Sequence, residues 1–314
     1  MSKRALGAAL IILVSLTGCK VLVSKYWFSK GNQLFKDNKF DKAIGMYNKA
    51  LDADPDFTLA YFYKGMANYS LYKPGIDDEK NKKRADEAIT CLSKVLEKEP
   101  DNQDAMLTLA DLYDKLGNET EALNLYNKRI ADNPQDATAY YKLADYFAKH
   151  GKTDEAVKTY QKRIDLDPNN PEGYLYLARF FESGLPEPDF DKSIEQHRKR
   201  IPLLSDDQSI KEGYYSIAVT AWAKSFRSPD LTAEDRMTTI KTGYEGVDKA
   251  LEIDPEYPDA LIYKGLLIRE EAKMLPEGAA KTELIDKAKA LSEQAMAIKK
   301  HLKEAEAAAS APPS

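Results

Sequence analysis

Cys19 is the residue whose surroundings most directly indicate chemistry in this sequence. It follows Gly18, and the two come after an apolar segment from Ala5 to Leu16 that is itself preceded by Lys3 and Arg4. A short basic region followed by an apolar region and a small residue is typical of a secretory signal peptide, which is removed before the mature protein folds. The N-terminus therefore predicts export, and the cysteine at its end predicts a modification site.

The four residues from Leu16 to Cys19 resemble the bacterial lipoprotein box, in which the cysteine is lipidated and becomes the new N-terminus. The resemblance implies a signal peptide over residues 1–18, lipidation at Cys19 and a short membrane-proximal tether over residues 19–23. Lys20 directly after the cysteine favours the outer membrane, facing the periplasm. Two alternatives remain open: an uncleaved anchor helix that continues through Val23, or a cleaved signal peptide that releases a soluble periplasmic adaptor.

Other reactive side chains give little support for catalysis. His150, His197 and His301 are far apart in the sequence and have no acidic or thiol residue at a regular spacing. No metal-ligand spacing and no glycine-rich phosphate loop is present. We therefore expect no catalytic residue, no metal site, no cofactor and no enzyme activity, with an enzyme accessory whose site lies in a groove as the weaker alternative. Cys91 lies on an apolar helix face and is expected to be a buried thiol.

The composition excludes a general nucleic-acid footprint. The formal net charge is −5 and 31% of the 314 residues are charged, whereas binding to nucleic acid needs a basic stripe. Hydrophobic residues make up 43% of the chain, which is enough to bury a continuous seam. One basic run, from Lys80 to Arg84, adjoins three acidic residues, so we expect a solvated helix start, with a contact to anionic lipid as the alternative.

The elements that position these residues are indicated by an internal repeat. Seven positions between Gln103 and Asn170 recur 34 residues later with similar side chains, and this spacing is the period of the tetratricopeptide repeat. Proline closes both copies, because it cannot continue a helix. The recurring pairs are Met106 and Tyr140, Leu109 and Leu143, Ala110 and Ala144, Tyr113 and Phe147, Ala122 and Ala156, Tyr126 and Tyr160, and Pro134 and Pro168.

The chain is thus similar to tetratricopeptide-repeat proteins over residues 24–303. The resemblance implies an all-α, right-handed solenoid of about seven helix-turn-helix repeats, followed by a flexible tail over residues 304–314. Repeats two, six and seven carry extra residues between their two helices, and we expect these to lengthen the helices. The predicted repeats span about 24–57, 58–102, 103–136, 137–170, 171–207, 211–257 and 258–303.

The resemblance also implies a concave groove, lined by the first helix of each repeat, that binds a protein or peptide ligand. The function expected from it is a membrane-anchored scaffold in the bacterial cell envelope, for secretion, outer-membrane biogenesis or pilus-type assembly. The groove position of each repeat is apolar or aromatic throughout, which predicts apolar anchors for a peptide, although an aromatic residue there can also pack on neighbouring repeats. The predicted groove residues are Phe28, Phe62, Leu107, Tyr141, Leu175, Tyr215 and Ile262.

Three consecutive repeats have an arginine where the family places a small residue between packed helices. Arg129, Arg163 and Arg200 each follow a lysine and precede an isoleucine. Their stems could simply lie along apolar surface with exposed heads. The sharper hypothesis is a ladder of partly buried guanidinium groups, each paired with a carboxylate, because burial of an unpaired charge is costly. The expected acidic partners are Asp111, Asp114, Asp145 and Glu182.

Overall fold

The computed structural model describes the backbone of residues 3–309 and the side chains of residues 20–305. These residues contain helices, turns and loops and no strand, as the repeat pattern predicts. The fourteen α-helices of this part of the chain are α1 Lys3–Lys36, α2 Phe40–Ala53, α3 Thr58–Leu71, α4 Glu79–Lys98, α5 Gln103–Lys115, α6 Glu119–Asp132, α7 Ala137–Lys149, α8 Thr153–Leu166, α9 Pro171–Arg179, α10 Phe190–Arg200, α11 Asp207–Arg227, α12 Ala233–Ile253, α13 Pro258–Ala272 and α14 Ala279–Ala309.

The chain divides into two compact units, one ending at Tyr146 and the other beginning at Phe147. In the first unit α1 packs on α2, α3 on α4, and α5 on α6, and each of these hairpins packs on the next. In the second unit the same arrangement joins α9 with α10, α11 with α12, and α13 with α14. One hairpin cannot bury its apolar stripe alone, so the hairpins are stable through stacking. The predicted all-α tetratricopeptide solenoid is the observed fold class.

Small residues allow the helices to approach closely. Ala43, Ala50 and Ala250 are fully buried at the helix contacts. At Gly246 of α12 the contact is with backbone, since a Cβ atom there would lie 2.7 Å from the backbone oxygen of Tyr214 in α11. Backbone cannot move aside as a flexible side chain can, so the small residues set the distance between neighbouring helices.

The extra residues of three repeats mostly lengthen helices, as expected. In repeat six, α11 and α12 each extend over 21 residues, and the side chain of Thr232 caps α12 by accepting a hydrogen bond of 3.1 Å from the amide of Asp235. In repeat seven, α14 extends over 31 residues. It continues to Ala309, beyond the start of the predicted flexible tail at residue 304.

Repeat two differs, because part of its excess forms a loop from Tyr72 to Asp78. Asn81 at the start of α4 holds this loop: its side chain accepts from the amide of Lys73 and donates to the carbonyl oxygens of Lys73 and Ile76. Arg84 also donates to the carbonyl oxygen of Leu71 at 3.1 Å. The basic run from Lys80 to Arg84 is therefore a helix start, as predicted. Two side chains within it, those of Asn81 and Arg84, hold the loop in place.

The described residues include no helix with the length and apolar content needed to cross a membrane. The side chain of Cys19 lies outside the residues whose side chains the structure describes, and so do residues 310–314. Cys91 is buried, as predicted, and burial raises the pKa of its thiol to about 11. A thiol with so high a pKa is a poor nucleophile at neutral pH.

Two glycine substitutions test the role of close helix contacts. Gly246→Ala should lower the free energy of unfolding by about 1–3 kcal/mol, because the added methyl group meets backbone. Gly45→Ala in α2 should raise it by about 0.5–1 kcal/mol, because alanine favours helix and nothing lies within 4 Å of the new atom. Thermal and urea unfolding followed by circular dichroism would measure both, and equal effects of the two changes would contradict the packing argument.

Candidate functional site

The first helices of successive repeats lie side by side in each unit, with α3 between α1 and α5 in the first and α11 beside α13 in the second. We call the surface formed by each set the first-helix face. All seven predicted groove residues lie on first helices and are half-buried, neither enclosed nor fully exposed. They therefore combine contacts to their own fold with a surface that remains open.

In the first unit these residues differ in how much of the side chain is used for packing. Phe28 lies within an aromatic cluster, with its ring centroid 4.8 Å from that of Phe57 and 5.6 Å from that of Tyr63. Phe28 therefore stabilises the fold, as the alternative interpretation of the groove position anticipated. Phe62 also contacts Tyr63, and Leu107 is the groove residue of the adjacent helix.

A polar network connects α3 and α5 on the same face. Tyr69 donates a hydrogen bond to Asp111, and Lys115 both contacts the Tyr69 hydroxyl and forms an ion pair with Asp111 at 2.7 Å. The Lys115 ammonium also lies 4.3 Å from the centre of the Tyr69 ring. Burial raises the pKa of the Tyr69 phenol, and the hydrogen bond to Asp111 adds to this effect, so the hydroxyl remains protonated at neutral pH. The face of the first unit is thus apolar at Phe62 and Leu107 and charged beyond them.

The face of the second unit is more continuously apolar. Tyr215 of α11 packs edge-on against Tyr257 and Tyr263, each at a centroid distance of 5.3 Å. Leu175 on α9 and Ile262 on α13 are half-buried at the equivalent positions. Tyr141, on α7 and within the first unit, is likewise half-buried.

An aromatic pair extends this surface and was not among the predicted groove residues. Trp222 and Phe226 stack with their ring planes 15° apart and their centroids separated by 5.2 Å, and Phe226 is 58% exposed. Trp222 follows Tyr215 by seven residues, so the two share one side of α11. That spacing was a signal in the sequence. The groove prediction used one position in each repeat, whereas Trp222 and Phe226 lie in the part of α11 that is lengthened beyond the repeat.

The arginine series is only partly the ladder that the sequence predicted. Arg129 and Arg163 are each only 5% exposed, whereas Arg200 is half-buried. Arg129 forms an ion pair with Asp136 and donates to the Gln103 side chain at 2.9 Å. Arg163 has its terminal nitrogen 3.5 Å from a carboxylate oxygen of the residue four positions later. Within residues 20–305, two of the three arginines of this series, Arg129 and Arg163, therefore form ion pairs.

The expected acidic partners were wrong, and the turns explain why. Both partners lie in the turn that follows the arginine helix, at Asp136 in one repeat and Asp167 in the next. The two turns have aspartate and asparagine at swapped positions. The residues four and seven positions after the arginine are Asn133 and Asp136 in the turn after Arg129, and Asp167 and Asn170 in the turn after Arg163. Each arginine contacts the position that holds the aspartate. A single terminal nitrogen of the guanidinium makes each contact.

Glu182, one of the four expected partners, instead organises a different cluster. Its Oε1 atom accepts hydrogen bonds from Ser193 at 2.7 Å and from Thr220 at 2.6 Å, and lies 3.2 Å from Nε2 of His197. A π-helical turn from Phe180 to Gly184 carries the carboxylate to this position. Burial acts to raise the pKa of Glu182, but the hydrogen bonds from His197, Thr220 and Ser193 outweigh it and leave the pKa below its usual range.

The geometry of this cluster is structural. In nucleophilic catalysis a hydroxyl donates to a base that a third group orients. Here Ser193 and Thr220 both donate to the carboxylate, and the imidazole of His197 contacts the same oxygen atom. His197 is almost fully buried. No group of histidine, cysteine or acidic side chains in the described part of the chain could hold a metal ion.

Comparisons with known proteins agree with this architecture. Three family models match the chain: a tetratricopeptide-repeat model at residues 28–71, a second at residues 82–145, and a TPR-repeat model at residues 144–182. The repeated hairpins and these matches define an all-α helical-repeat protein. The chain is a tetratricopeptide-repeat protein, and such arrays are scaffolds for protein–protein interaction.

Among the solved structures that are similar to this chain, one with a TM-score above 0.5 supports the same fold. The C-terminal part of a TPR repeat-containing protein from Cytophaga hutchinsonii is 17% identical, with a TM-score of 0.54 over 86% of this chain and 95% of that one. MamA from Desulfovibrio magneticus RS-1 is 19% identical, with a TM-score of 0.42 over 57% of this chain and 94% of that one. YrrB, described as a TPR protein with an unusual peptide-binding site, is 20% identical, with a TM-score of 0.36 over 75% and 88%. No curated protein sequence matches the chain.

Removal of a buried arginine head should leave a buried carboxylate without its cation. We expect Arg129→Ala to lower the free energy of unfolding by about 3 kcal/mol or more, because the Asp136 side chain is only 10% exposed. Lys128→Ala should cost less than about 0.5 kcal/mol, because that lysine forms an exposed pair with Asp132. Urea unfolding would compare the variants. Equal losses would show that the Arg129–Asp136 pair contributes no more than a surface pair.

The Glu182 cluster predicts acid-sensitive stability of the second unit. Because the folded state lowers the pKa of Glu182, its contribution is present at neutral pH, declines below the ordinary value of 4.5, and is lost as the pH falls through the lowered pKa. Glu182→Gln should therefore cost about 2 kcal/mol at neutral pH, and the difference from the unchanged protein should shrink as the pH falls below 4.5.

The exposed neighbour Glu187 provides the control, since Glu187→Gln should leave the unfolding curve almost unchanged at both pH values. Urea unfolding followed by circular dichroism would measure this difference. A Glu182→Gln effect that is the same in acid and at neutral pH would mean that the carboxylate charge is not responsible.

Proposed function

We propose that this protein is a lipid-anchored scaffold of the bacterial cell envelope and that its first-helix faces bind segments of partner proteins. The observation that carries the binding proposal is the row of half-buried apolar and aromatic residues at one repeat position. Half-buried residues expose apolar surface that a ligand can cover without any change in the fold. The rigid stacked hairpins supply the positions, so little ordering of the protein opposes binding.

Each unit offers a different surface to a ligand. In the first unit Phe62 and Leu107 lie beside the Asp111–Lys115 ion pair, so a ligand there meets apolar contacts followed by both signs of charge. In the second unit Tyr215 and Ile262 continue into Trp222 and Phe226, so the surface is aromatic over several helical turns. Interfaces gain most from buried aromatic anchors, which makes the second unit the stronger candidate for the main contact.

The anchor proposal is supported by the sequence around Cys19. The basic residues, apolar segment and Gly18-Cys19 sequence are those of a lipoprotein signal. A single acyl chain binds a membrane only marginally, whereas several chains hold a protein stably. A soluble periplasmic adaptor with the same first-helix faces is the second candidate. Lipidation of Cys19 distinguishes the two candidates.

Site-specific photo-crosslinking in living cells tests both parts. A benzophenone amino acid at Ile262 or Leu107 should form adducts with one or a few partner proteins. The same residue at Lys128, on the second helix of its repeat, should not. Ala substitution at Phe226 should reduce the Ile262 adducts by about tenfold, which corresponds to the loss of one strong aromatic contact. Adducts of equal yield at all three positions would refute binding through the first-helix faces.

Cys19→Ala provides the arm of the experiment that concerns the anchor. It should abolish labelling by a radioactive fatty acid and prevent processing, and the intact mass should include the signal peptide. An unmodified Cys19 in the native protein would refute the lipid anchor. The intact mass would then distinguish a cleaved soluble adaptor from an uncleaved anchor helix, while the crosslinking result would stand by itself.

A further inference from the structure

The part of α1 that follows Cys19 has an unusual charge. Between Lys20 and Lys36 there are four lysines and no acidic residue, although the chain as a whole carries a net charge of −5. Three of the lysines, at positions 20, 25 and 30, lie in the first eleven residues of this segment, and Lys49 of α2 lies over the ring of Trp27. Within residues 20–305, none of these four lysines has an acidic partner within 4.0 Å.

The same segment exposes apolar surface. Of the residues from Lys20 to Tyr26, Ser24 is buried and the others are exposed. Leu22 is 70% exposed and Tyr26 is 55% exposed. Leu22, Tyr26 and Lys30 are spaced four residues apart, so they share the side of α1 that faces away from the buried Ser24. Among the described side chains, all three of these residues are exposed.

Aromatic rings and cations alternate on this surface. Tyr26 and Trp27 contact each other edge to face with their centroids 5.0 Å apart. Lys49 lies 4.3 Å from the centre of the Trp27 ring, and Lys30 lies 5.9 Å from the centre of the Tyr26 ring. Tryptophan and tyrosine concentrate at the level of lipid headgroups, where one end of the ring meets apolar chains and the other meets water.

We infer that residues 20–30 of α1, together with Lys49, form a docking surface for the anionic headgroups of a lipid bilayer, so that the first unit rests on the membrane. This inference rests on the proposed lipid anchor, which would bring the surface to the bilayer at its own first residue. The valines and Leu22 enter the interface, the lysines contact lipid phosphates, and Tyr26 and Trp27 lie at headgroup depth. The surface replaces the long polar tether that would hold a repeat array away from the bilayer.

Charge favours an anionic bilayer over a second copy of this chain as the partner of this surface. A second copy of this acidic chain stacked on the same surface would bring together two α1 segments of the same positive sign, which repel each other. An anionic bilayer attracts each lysine near its surface, by about fivefold in binding for each residue. The exposed apolar side chains are also few and are grouped at one end of a helix, as interfacial insertion requires.

Tryptophan fluorescence tests the inference, because the chain has only two tryptophans and they lie in different units. The full-length protein, extracted from bacterial membranes and carrying Trp222→Phe, would be reconstituted into phosphatidylcholine vesicles with brominated acyl chains, with or without phosphatidylglycerol. Trp27 emission should be quenched strongly with phosphatidylglycerol and at least about twofold less without it. In the matched variant Trp27→Phe, emission from Trp222 should be unchanged by either vesicle.

Reversing the charge of lysines on the docking surface should have the same effect as omitting phosphatidylglycerol from the vesicles. Lys25→Glu combined with Lys30→Glu should reduce the quenching of Trp27, whereas Lys36→Glu, at the far end of the same helix, should not. Circular dichroism would confirm that all variants remain folded.

The outcomes separate this inference from the anchor. If the protein floats with the vesicles but Trp27 is quenched no more than Trp222, or equally in both lipids, the anchor stands and the docking surface is refuted. If the protein does not float with the vesicles, the anchor and the docking surface are both refuted. If Trp27 emission shifts with protein concentration in the absence of vesicles, the surface joins two copies of the chain and the inference fails.

Discussion

The close approach of helices at small residues is the constraint on which the rest of this structure depends. Alanines such as Ala43 and Ala250 are fully buried, and at Gly246 the backbone of α11 comes within reach of any added side chain. Because the contact distance is short, large residues on either side can interdigitate and exclude water. The stacking then fixes where every first helix lies, and with it the position of each half-buried side chain on the first-helix faces.

Much of this architecture could be predicted from the sequence because the repeat is a local rule. The 34-residue period identified the helical hairpins. The same rule identified which residues lie on the first helices. It could not identify how far each side chain packs on its neighbours, since Phe28 is committed to an aromatic cluster although it occupies the same repeat position as the other groove residues. That packing depends on residues outside the period, such as Phe57.

The predictions failed where an interaction depended on turns or on a change in helical geometry. Arg129 and Arg163 were expected to pair with carboxylates on helices, yet their partners lie in turns, where two positions exchange aspartate and asparagine. Glu182 was assigned to an arginine, but the π-helical turn carries it toward Ser193. A long side chain such as arginine can reach several positions of a turn. The 34-residue period predicts where the backbone lies, but it does not specify which charged side chains form ion pairs.

The π-helical turn from Phe180 to Gly184 has a further consequence for how repeat arrays change in length. Each turn of this kind holds more residues than an α-helical turn, and a one-residue insertion is therefore absorbed locally. Here the widened turn buries both Phe180 and Phe181, and α10 then begins at Phe190 with its own small residue, Ser193, in the packed position. The hairpins on either side keep their contacts. Insertions and deletions can thus accumulate at the loop end of a repeat during evolution without shifting the register of its neighbours, so that the length of one repeat varies independently of the others.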